Sequence, residues 1–565
     1  MPVNIKAPDH RFHRMFVDAQ LYQEAWRERN NDNFSYYDGD QWTNSEKETL
    51  NARGQQAIVL NIIRPTIDMV CAMYSQRKAD YQVVGREMSD DETAGVLTEL
   101  LKQVYDQNDY DYYEGNLFRT GVTGGMGWVQ IGVEKDEMDE YQLRLDHVPW
   151  EEIFWDPYFR KPDGSDARYI IRQIWMDRDQ VVRKWPDKGT ELNVYFDAYR
   201  EDFEGQEYNA QYNTGSSEFA YYDHRNRRVA INEVWYTDEQ GNYRHCVYTS
   251  NIFLKGSEED SDNTYPFEGL NAFPLVPFIA SRTRKGEPQG IVEWVKPIQD
   301  TLNKVYSKWQ WNICTRQVVM EEDAVDDPDL VRAEVSKPNG LIMLRPGGGS
   351  KFQILKNIEE SAHLSNMMQF LVGMGQRVSG VNDALLGMGG VNARSAEQEA
   401  SRLLQGAQMQ TSLLENLMFT KKRIAHILLR LMGIYYTDKR TVRVTQPNGA
   451  YNYYLLNEPY EDDQGNEIFY QIEDVLRYDV VLRPVPAFNS VRQNTLTALM
   501  EGAKAGAIPP PVVSKMAVEL MDYPNKQQIM QEIEQYWQQQ MQMQQQQAQV
   551  EMAQALGQSG GASPQ

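Results

Sequence analysis

Apolar side chains recur at Ile291, Trp294, Val295, Ile298, Leu302, Val305, Trp309 and Ile313, the three-to-four spacing of one helix face. Gly286-Glu287-Pro288-Gln289-Gly290 punctuates the chain just before it, and Pro297 falls inside the pattern. A mid-helix proline removes a backbone donor and crowds the preceding turn, so either a kink or a true helix start is predicted near Pro297. After Gln317 the pattern changes to strands and turns around Lys337 to Leu344 and Pro346 to Gly349. Helix returns at about Glu360 and runs to Gly380. A small, flexible run from Ser379 to Ala393 follows. A capping pattern at Ser395 and Gln398 then opens a helix carrying Leu403, Leu404, Leu413, Leu417, Ile424, Leu428 and Leu431, long enough to reach ~60 Å at 1.5 Å per residue.

Upstream, Arg11 to Asn30 has helical spacing that breaks at Asn31-Asp32-Asn33, and Tyr36 to Trp42 reads as an aromatic and acidic turn. Asn61 to Arg77 and Asp90 to Tyr105 read as helices, the first with Pro65 near its start, where proline is tolerated. Short strands dominate Gln142 to Phe278, including a hairpin of Ile231 to Thr237 with Tyr243 to Thr249. Arg440 to Arg483 returns to strands with a turn at Asn448-Gly449, and the chain past Ala487 is predicted helical. Glu532 to Leu556 is rich in glutamine and methionine, and a polar tail begins at Gly557. The fold class predicted is α+β.

Composition narrows the function. At 565 residues the chain is long enough for three or four folding units. Cys71, Cys246 and Cys314 are far apart and form no zinc spacing, which predicts a reducing compartment and no metal. A formal charge of -24 argues against holding nucleic acid by neutralising phosphates, although a sliding contact stays compatible with it. The start of the chain carries no secretory pattern, and no window has the roughly eighteen uninterrupted apolar residues of a membrane span.

Two glycine runs invite a phosphate-loop reading. Gly121 to Gly127 precedes the strand Trp128 to Gly132 instead of following one, and lacks GxxxxGK; close helix-to-strand packing explains it better. Gly347-Gly348-Gly349-Ser350-Lys351 is too short and predicts a hairpin turn. Asp38, Asp40, Asp146, Glu151, Glu152 and Asp156 offer carboxylates but no spacing that pairs them for hydrolysis. There is neither HExxH nor GxSxG, and no cofactor is implied. No catalytic site is predicted.

The order helix, insert, helix, loop, long helix resembles the portal proteins of tailed phages, notably podovirus portals with a helical C-terminal barrel. Tyr36 to Trp42, Asn61-Ile62-Ile63-Arg64-Pro65 and Arg284 to Gly290 carry the rest of the likeness. The resemblance implies an α/β wing at 1–285, a two-helix stem at 286–317 and 359–378, and a small α/β clip at 318–358. It further implies a tunnel loop at 379–393, a long helix with wing-to-crown strands at 394–486, and crown helices at 487–524. A glutamine-rich barrel helix at 525–556 and a disordered tail at 557–565 would complete the chain. The resemblance implies a non-enzymatic conduit, a dodecameric homo-oligomer at one capsid vertex of the virion that passes double-stranded DNA; the rival readings are a motor ATPase or tail hydrolase, and a minor capsid or scaffold component without a channel. Its expected partners are the terminase large subunit, tail adaptor proteins, and major capsid and scaffolding proteins, with no membrane. Lys304, Lys308, Arg316, Lys351, Arg377, Asn382, Asp383 and Asn392 are the expected tunnel residues. Glu321, Glu322, Asp323, Asp326, Asp327 and Lys337 are the expected clip contacts, with intersubunit salt bridges from Lys304, Lys308, Arg316, Lys351 and Arg377 to these five acids an equal alternative.

Overall fold

A computed structural model of the chain describes residues 8–76, 79–85, 91–136, 139–202, 221–223, 226–314, 317–335, 337, 339–355, 358–381, 411–436, 440–445, 451–457, 460–461, 467–468, 478–484, 499–500, 510–520, 533 and 536–537. Helices α1 (Arg11–Asp38), α2 (Asn44–Ala52) and α3 (Ile63–Gln76) come first, then strand β1 (Ala79–Gly85) and helices α4 (Asp91–Gln107) and α5 (Tyr110–Gly124). Strands β2 (Met126–Lys135), β3 (Tyr141–Val148), β4 (Ile153–Trp155) and β5 (Tyr169–Asp177) lead to α6 (Arg178–Lys184) and α7 (Gly189–Asp202). Next are β6 (Tyr222–Asp223), β7 (Arg228–Thr237), β8 (Tyr243–Thr249), β9 (Ile252–Lys255) and β10 (Leu275–Ile279), followed by α8 (Ile291–Cys314). After it stand β11 (Gln317–Met320), α9 (Pro328–Val335), β12 (Phe352–Leu355), α10 (Ile358–Ser379) and α11 (Thr411–Tyr435). The last elements are β13 (Arg440–Thr445), β14 (Tyr451–Leu456), β15 (Tyr460–Glu461), β16 (Glu467–Ile468), β17 (Tyr478–Pro484) and α12 (Pro510–Leu520). The fold is mixed α+β with several small antiparallel sheets.

Two compact units share the chain: residues 1–72 with 108–427, and residues 73–107 with 428–565. In the first, strands run β4-β5-β7-β8-β9 with β6 on β7, beside a three-stranded sheet β10-β2-β3. The β7–β8 hairpin has the predicted pairing, with Thr237 opposite Tyr243. One face of the larger sheet buries Tyr169, Ile171, Val234, Tyr236 and Tyr248 against Phe12, Phe16 and Ala19 of α1. The other buries Val229, Ile231 and Val247 against Val181 of α6 and Leu192 and Phe196 of α7. Alternation along each strand therefore serves two helical layers. In the second unit α4 lays Leu97, Leu100, Leu101 and Val104 inward, Thr98 Oγ1 accepts the Val83 N–H at 2.9 Å, and β1 pairs antiparallel with β17.

Three expectations change. The first helix does not break at Asn31: α1 continues to Asp38 and ends at Gly39, which adopts the left-handed conformation. Trp26, Asn30 and Asn33 are buried along its inner face, so tertiary packing outweighs the poor helix propensity of asparagine. The helix after Gly290 starts at Ile291 with Pro297 inside it, which overturns the alternative of a start near Pro297. Gly347 to Lys351 is no hairpin turn but a short 3₁₀ turn leading into β12, whose partner β11 lies some thirty residues upstream. Most of the predicted tunnel loop, the start of the long helix, the Asn448-Gly449 turn and nearly all of the glutamine-rich segment lie outside the described residues.

Two buried histidines dock the start of α1. His10 Nδ1 accepts the His13 N–H at 3.2 Å as the helix cap, so its Nε2 carries the proton donated to Ser250 O at 2.9 Å. His13 Nδ1 lies 2.8 Å from the Tyr221 hydroxyl. Burial, then the neighbouring His10, pushes His13 down to about 4. Burial also lowers His10, opposed by Ser250 O and by the Glu258 and Asp9 carboxylates, with Arg14 adding to the lowering. The neutral rings belong to the folded state, so the stability they contribute is complete above the unfolded value of ~6.5 and is lost as pH falls toward the folded one. His13 alone should withdraw about 2 kcal/mol between pH 7 and pH 5. Urea midpoints across that range should fall with acid, and His13→Gln should flatten the slope.

Candidate functional site

α8 and α10 form a pair joined through a small insert. Their shared core is Ile298, Leu302 and Val305 against Leu364, Met368, Leu371 and Val372, and Lys308 Nζ meets Glu360 at 2.7 Å near the insert end. The i, i+3, i+4 spacing on both helices explains why they zip together. At 24 and 22 residues they extend about 36 and 33 Å.

A second face of α8 is polar yet buried. Gln299, Asn303 and Ser307, four residues apart, accept the N–H groups of Ile62 (3.0 Å), Leu60 (3.0 Å) and Ile58 (3.1 Å). Gln299 Nε2 also donates to Leu60 O at 2.9 Å, and Asn303 Nδ2 donates to Gln41 Oε1 at 2.7 Å. Residues 57–62 are thus fastened along the helix by side chains in place of a neighbouring strand. The apolar periodicity that revealed α8 is silent about this ladder. The fourfold spacing of Gln299, Asn303 and Ser307 inside an otherwise apolar stripe is the signal that was available.

The insert has its own core. Ala324, Val325 and Val331 are buried, with Val318, Met320, Val335, Ile342 and Phe352 packed on them. β11 and β12 close its base from Gln317 opposite Leu355 to Met320 opposite Phe352. Asp327 caps α9, its Oδ1 accepting the Asp329 and Leu330 N–H groups at 2.9 and 3.3 Å. Residues 341–344, expected as strand, are in no strand.

The sequence-predicted site residues are placed unevenly. Lys304 meets Glu46 of the α2 capping box at 3.1 Å, and Lys308 meets Glu360. Lys351 lies between Glu321 (3.1 Å) and Asp323 (2.6 Å), and its hydrogen bond to Asp323 holds that carboxyl below the ordinary range. Asp326 pairs with Arg345 at 2.5 Å and Lys337 with Glu334 at 2.6 Å. Glu322 and Arg377 are exposed on the insert and in the last turn of α10. Arg316, Asn382, Asp383 and Asn392 are outside what is described. The structure therefore brings Lys351, Glu321 and Asp323 together within one chain, and seats Lys304 and Lys308 on one helix against separate carboxylates. Among the carboxylates weighed for hydrolysis, Asp156 is held by Arg168 at 2.8 Å and Glu152 by Arg172 at 2.9 Å.

Within the first unit, the opening turns of α11 are held by a contact that sequence reasoning missed. Lys421 Nζ lies 2.8 Å from Glu114 Oε1 and donates to Oε2 at 3.1 Å, with both side chains 3% exposed. Asn416 and Thr420 donate to the carbonyls of Ala280 (2.9 Å) and Pro277 (3.2 Å). No described helix is long and apolar enough to cross a membrane.

A stacked α/β body, a long helix pair and a separately cored insert between those helices define a structural protein built from modules. The chain belongs to the Phage P22-like portal protein family, whose model matches residues 13–563. It is also similar to the portal protein of Helicobacter pylori bacteriophage KHP30, 20% identical over 455 residues that cover 79% of this chain and 68% of that relative. Family membership makes it a non-enzymatic component of the phage virion, sited at a capsid vertex and involved in DNA packaging.

Proposed function

We propose that twelve copies close into a ring whose central tunnel passes double-stranded DNA during packaging and ejection. The α8–α10 pair would be the stem, residues 318–358 the clip that docks first the terminase large subunit and later tail adaptors, and residues 379–393 the tunnel loop. Residues 1–285 would form the wing, and the chain beyond about 394 the wing-to-crown connection, the crown and a short barrel facing the major capsid and scaffolding proteins. The observation that carries this reading is the insert: a module with its own small core, closed at its base by β11 and β12, is suited to present a docking surface at the end of two rigid helices.

The charge arrangement supports a conduit that does not grip. Each phosphate neutralised by a free lysine raises affinity and releases counterions, which would hold the DNA in place. Lys304, Lys308 and Lys351 already have carboxylate partners on their own chain, so they soften the acidic field locally without adding unpaired positive charge. Exposed pairs of this kind contribute little to stability. Lys304→Glu with Lys308→Glu should therefore leave the melting temperature within a few degrees of the parent while impairing DNA passage; unchanged packaging would remove these lysines from the tunnel. Electron micrographs of the purified chain test the reading as a whole. Closed rings with a central hole are expected, and filaments or small open oligomers would overturn it.

A further inference from the structure

The ladder on α8 leaves half of a strand unused. The N–H groups of Ile58, Leu60 and Ile62 bond to Ser307, Asn303 and Gln299, the Ile58 carbonyl accepts Trp42 Nε1 at 3.0 Å, and the Leu60 carbonyl accepts Gln299 Nε2. Only even-numbered residues face the helix, which is the alternation of an extended strand. The match is metrical: two strand residues advance about 6.6 Å and four helix residues about 6.0 Å, so the two repeats stay in register for three rungs. In an extended strand the N–H and C=O of intervening residues point the opposite way. Ala57 and Val59 thus turn their main-chain groups away from α8, and among the described residues neither makes a main-chain hydrogen bond.

An open edge of this kind is normally blunted by a lysine, a proline or a bulge, because it templates pairing with any other chain. Residues 55–61, Gln-Gln-Ala-Ile-Val-Leu-Asn, contain no charge and no proline, in a chain that is 24% charged. A complementary run exists in the insert. Ile342 packs into the insert core, Leu341 and Met343 on either side are 69% and 76% exposed, and among the described residues Ile342, Met343 and Leu344 make no main-chain hydrogen bond. Both runs are uncharged, both carry main-chain groups with no hydrogen bond among the described residues, and within one chain they do not pair with each other. Left open on a free monomer they would propagate self-association. In a closed head-to-tail ring each edge is used once and the association stops.

We propose that the Ala57–Val59 edge is a subunit contact, completed as a short β-ladder by the Ile342–Leu344 run of a second copy of this chain. The proposal rests on the ring reading above. It adds a main-chain link that fastens the insert of one copy to the side of its neighbour's α8, through the strand that the ladder holds there. Movement of the insert when a partner docks would then be felt by the next subunit's helix.

The test uses the full-length chain, Val59→Pro, which removes an outward donor that no described group uses, and Val59→Lys, which blunts the edge by charge. Rings are expected from the parent and monomers with parental circular dichroism from both variants. Within parental rings the Ala57 and Val59 amides should exchange roughly a hundredfold more slowly than in the monomeric lysine variant, while Ile58 and Leu60 stay protected in both. With Cys314 replaced by serine, Val59→Cys with Met343→Cys should give a covalent ladder in multiples of the chain mass on mild oxidation. Rings from both variants at parental yield, fast Ala57 exchange inside rings, or no covalent ladder would overturn the contact while leaving the ring reading intact. Absence of rings from the parent would instead overturn the ring reading itself. If Val59→Pro fails to fold, Val59→Lys decides.

Discussion

Glu114→Ala is expected to destabilise the first unit by about 3–5 kcal/mol, lowering its calorimetric transition by on the order of 10 °C. The carboxylate is buried on α5 and its partner Lys421 is equally buried on α11. Removing the acid takes the carboxylate away from a buried ammonium, whose desolvation penalty then loses that compensation. The pair itself is a different matter. Replacing both groups by apolar residues of similar volume, Glu114→Leu with Lys421→Met, should recover most of the loss, because well-packed side chains do as well as a buried ion pair. A double-mutant cycle on thermal unfolding separates the two. If the single variant costs under 1 kcal/mol, water reaches the pair and the contact does not hold α11 down. If the double variant costs as much as the single, what matters is the Asn416 and Thr420 bonds to the β10 region being kept in register by the ion pair.

That contact was illegible in the sequence for a definable reason. Glu114 and Lys421 are some three hundred positions apart, each within an ordinary amphipathic helix, and nothing local distinguishes a charge that will be buried from one on a solvated face. The helix pair was legible because its chemistry is local: apolar residues at helical spacing on α8, a turn-rich interruption and a second apolar helix report their own geometry. The hairpin of β7 and β8 was readable for the same reason, from alternation around Glu239 to Asn242. The false break in α1 shows where locality fails, since Asn31-Asp32-Asn33 looks like a helix breaker until α8 is packed against it through Asn33 and Glu293. Lys304 and Lys308 were found as basic residues four apart on one helix, but their partners Glu46 and Glu360 come from elements far along the chain.

Gly125→Ala should be nearly as damaging, at about 3 kcal/mol or more, and it tests why the glycine run is there. Gly125 has a φ of +100°, a conformation that favours glycine, where an L side chain costs roughly 1–2 kcal/mol. A methyl group at this position would also fall inside contact distance of the Gln289 and Pro288 backbone, and main chain cannot rotate aside as a side chain can. Gly290 has the same constraint from the other direction, its methyl position overlapping the Thr123 carbonyl. The run that failed as a phosphate loop is therefore a seam: it lets the end of α5 meet the segment that launches α8. Because α8 starts at Ile291, directly beyond that seam, a strained Gly125→Ala should shift the helix as well as destabilise it. Rings assembled from this variant should accordingly be fewer than its remaining folded fraction predicts. Yield that simply tracks the folded fraction, read by light scattering beside circular dichroism, would mean the glycines serve stability and do not position the helix.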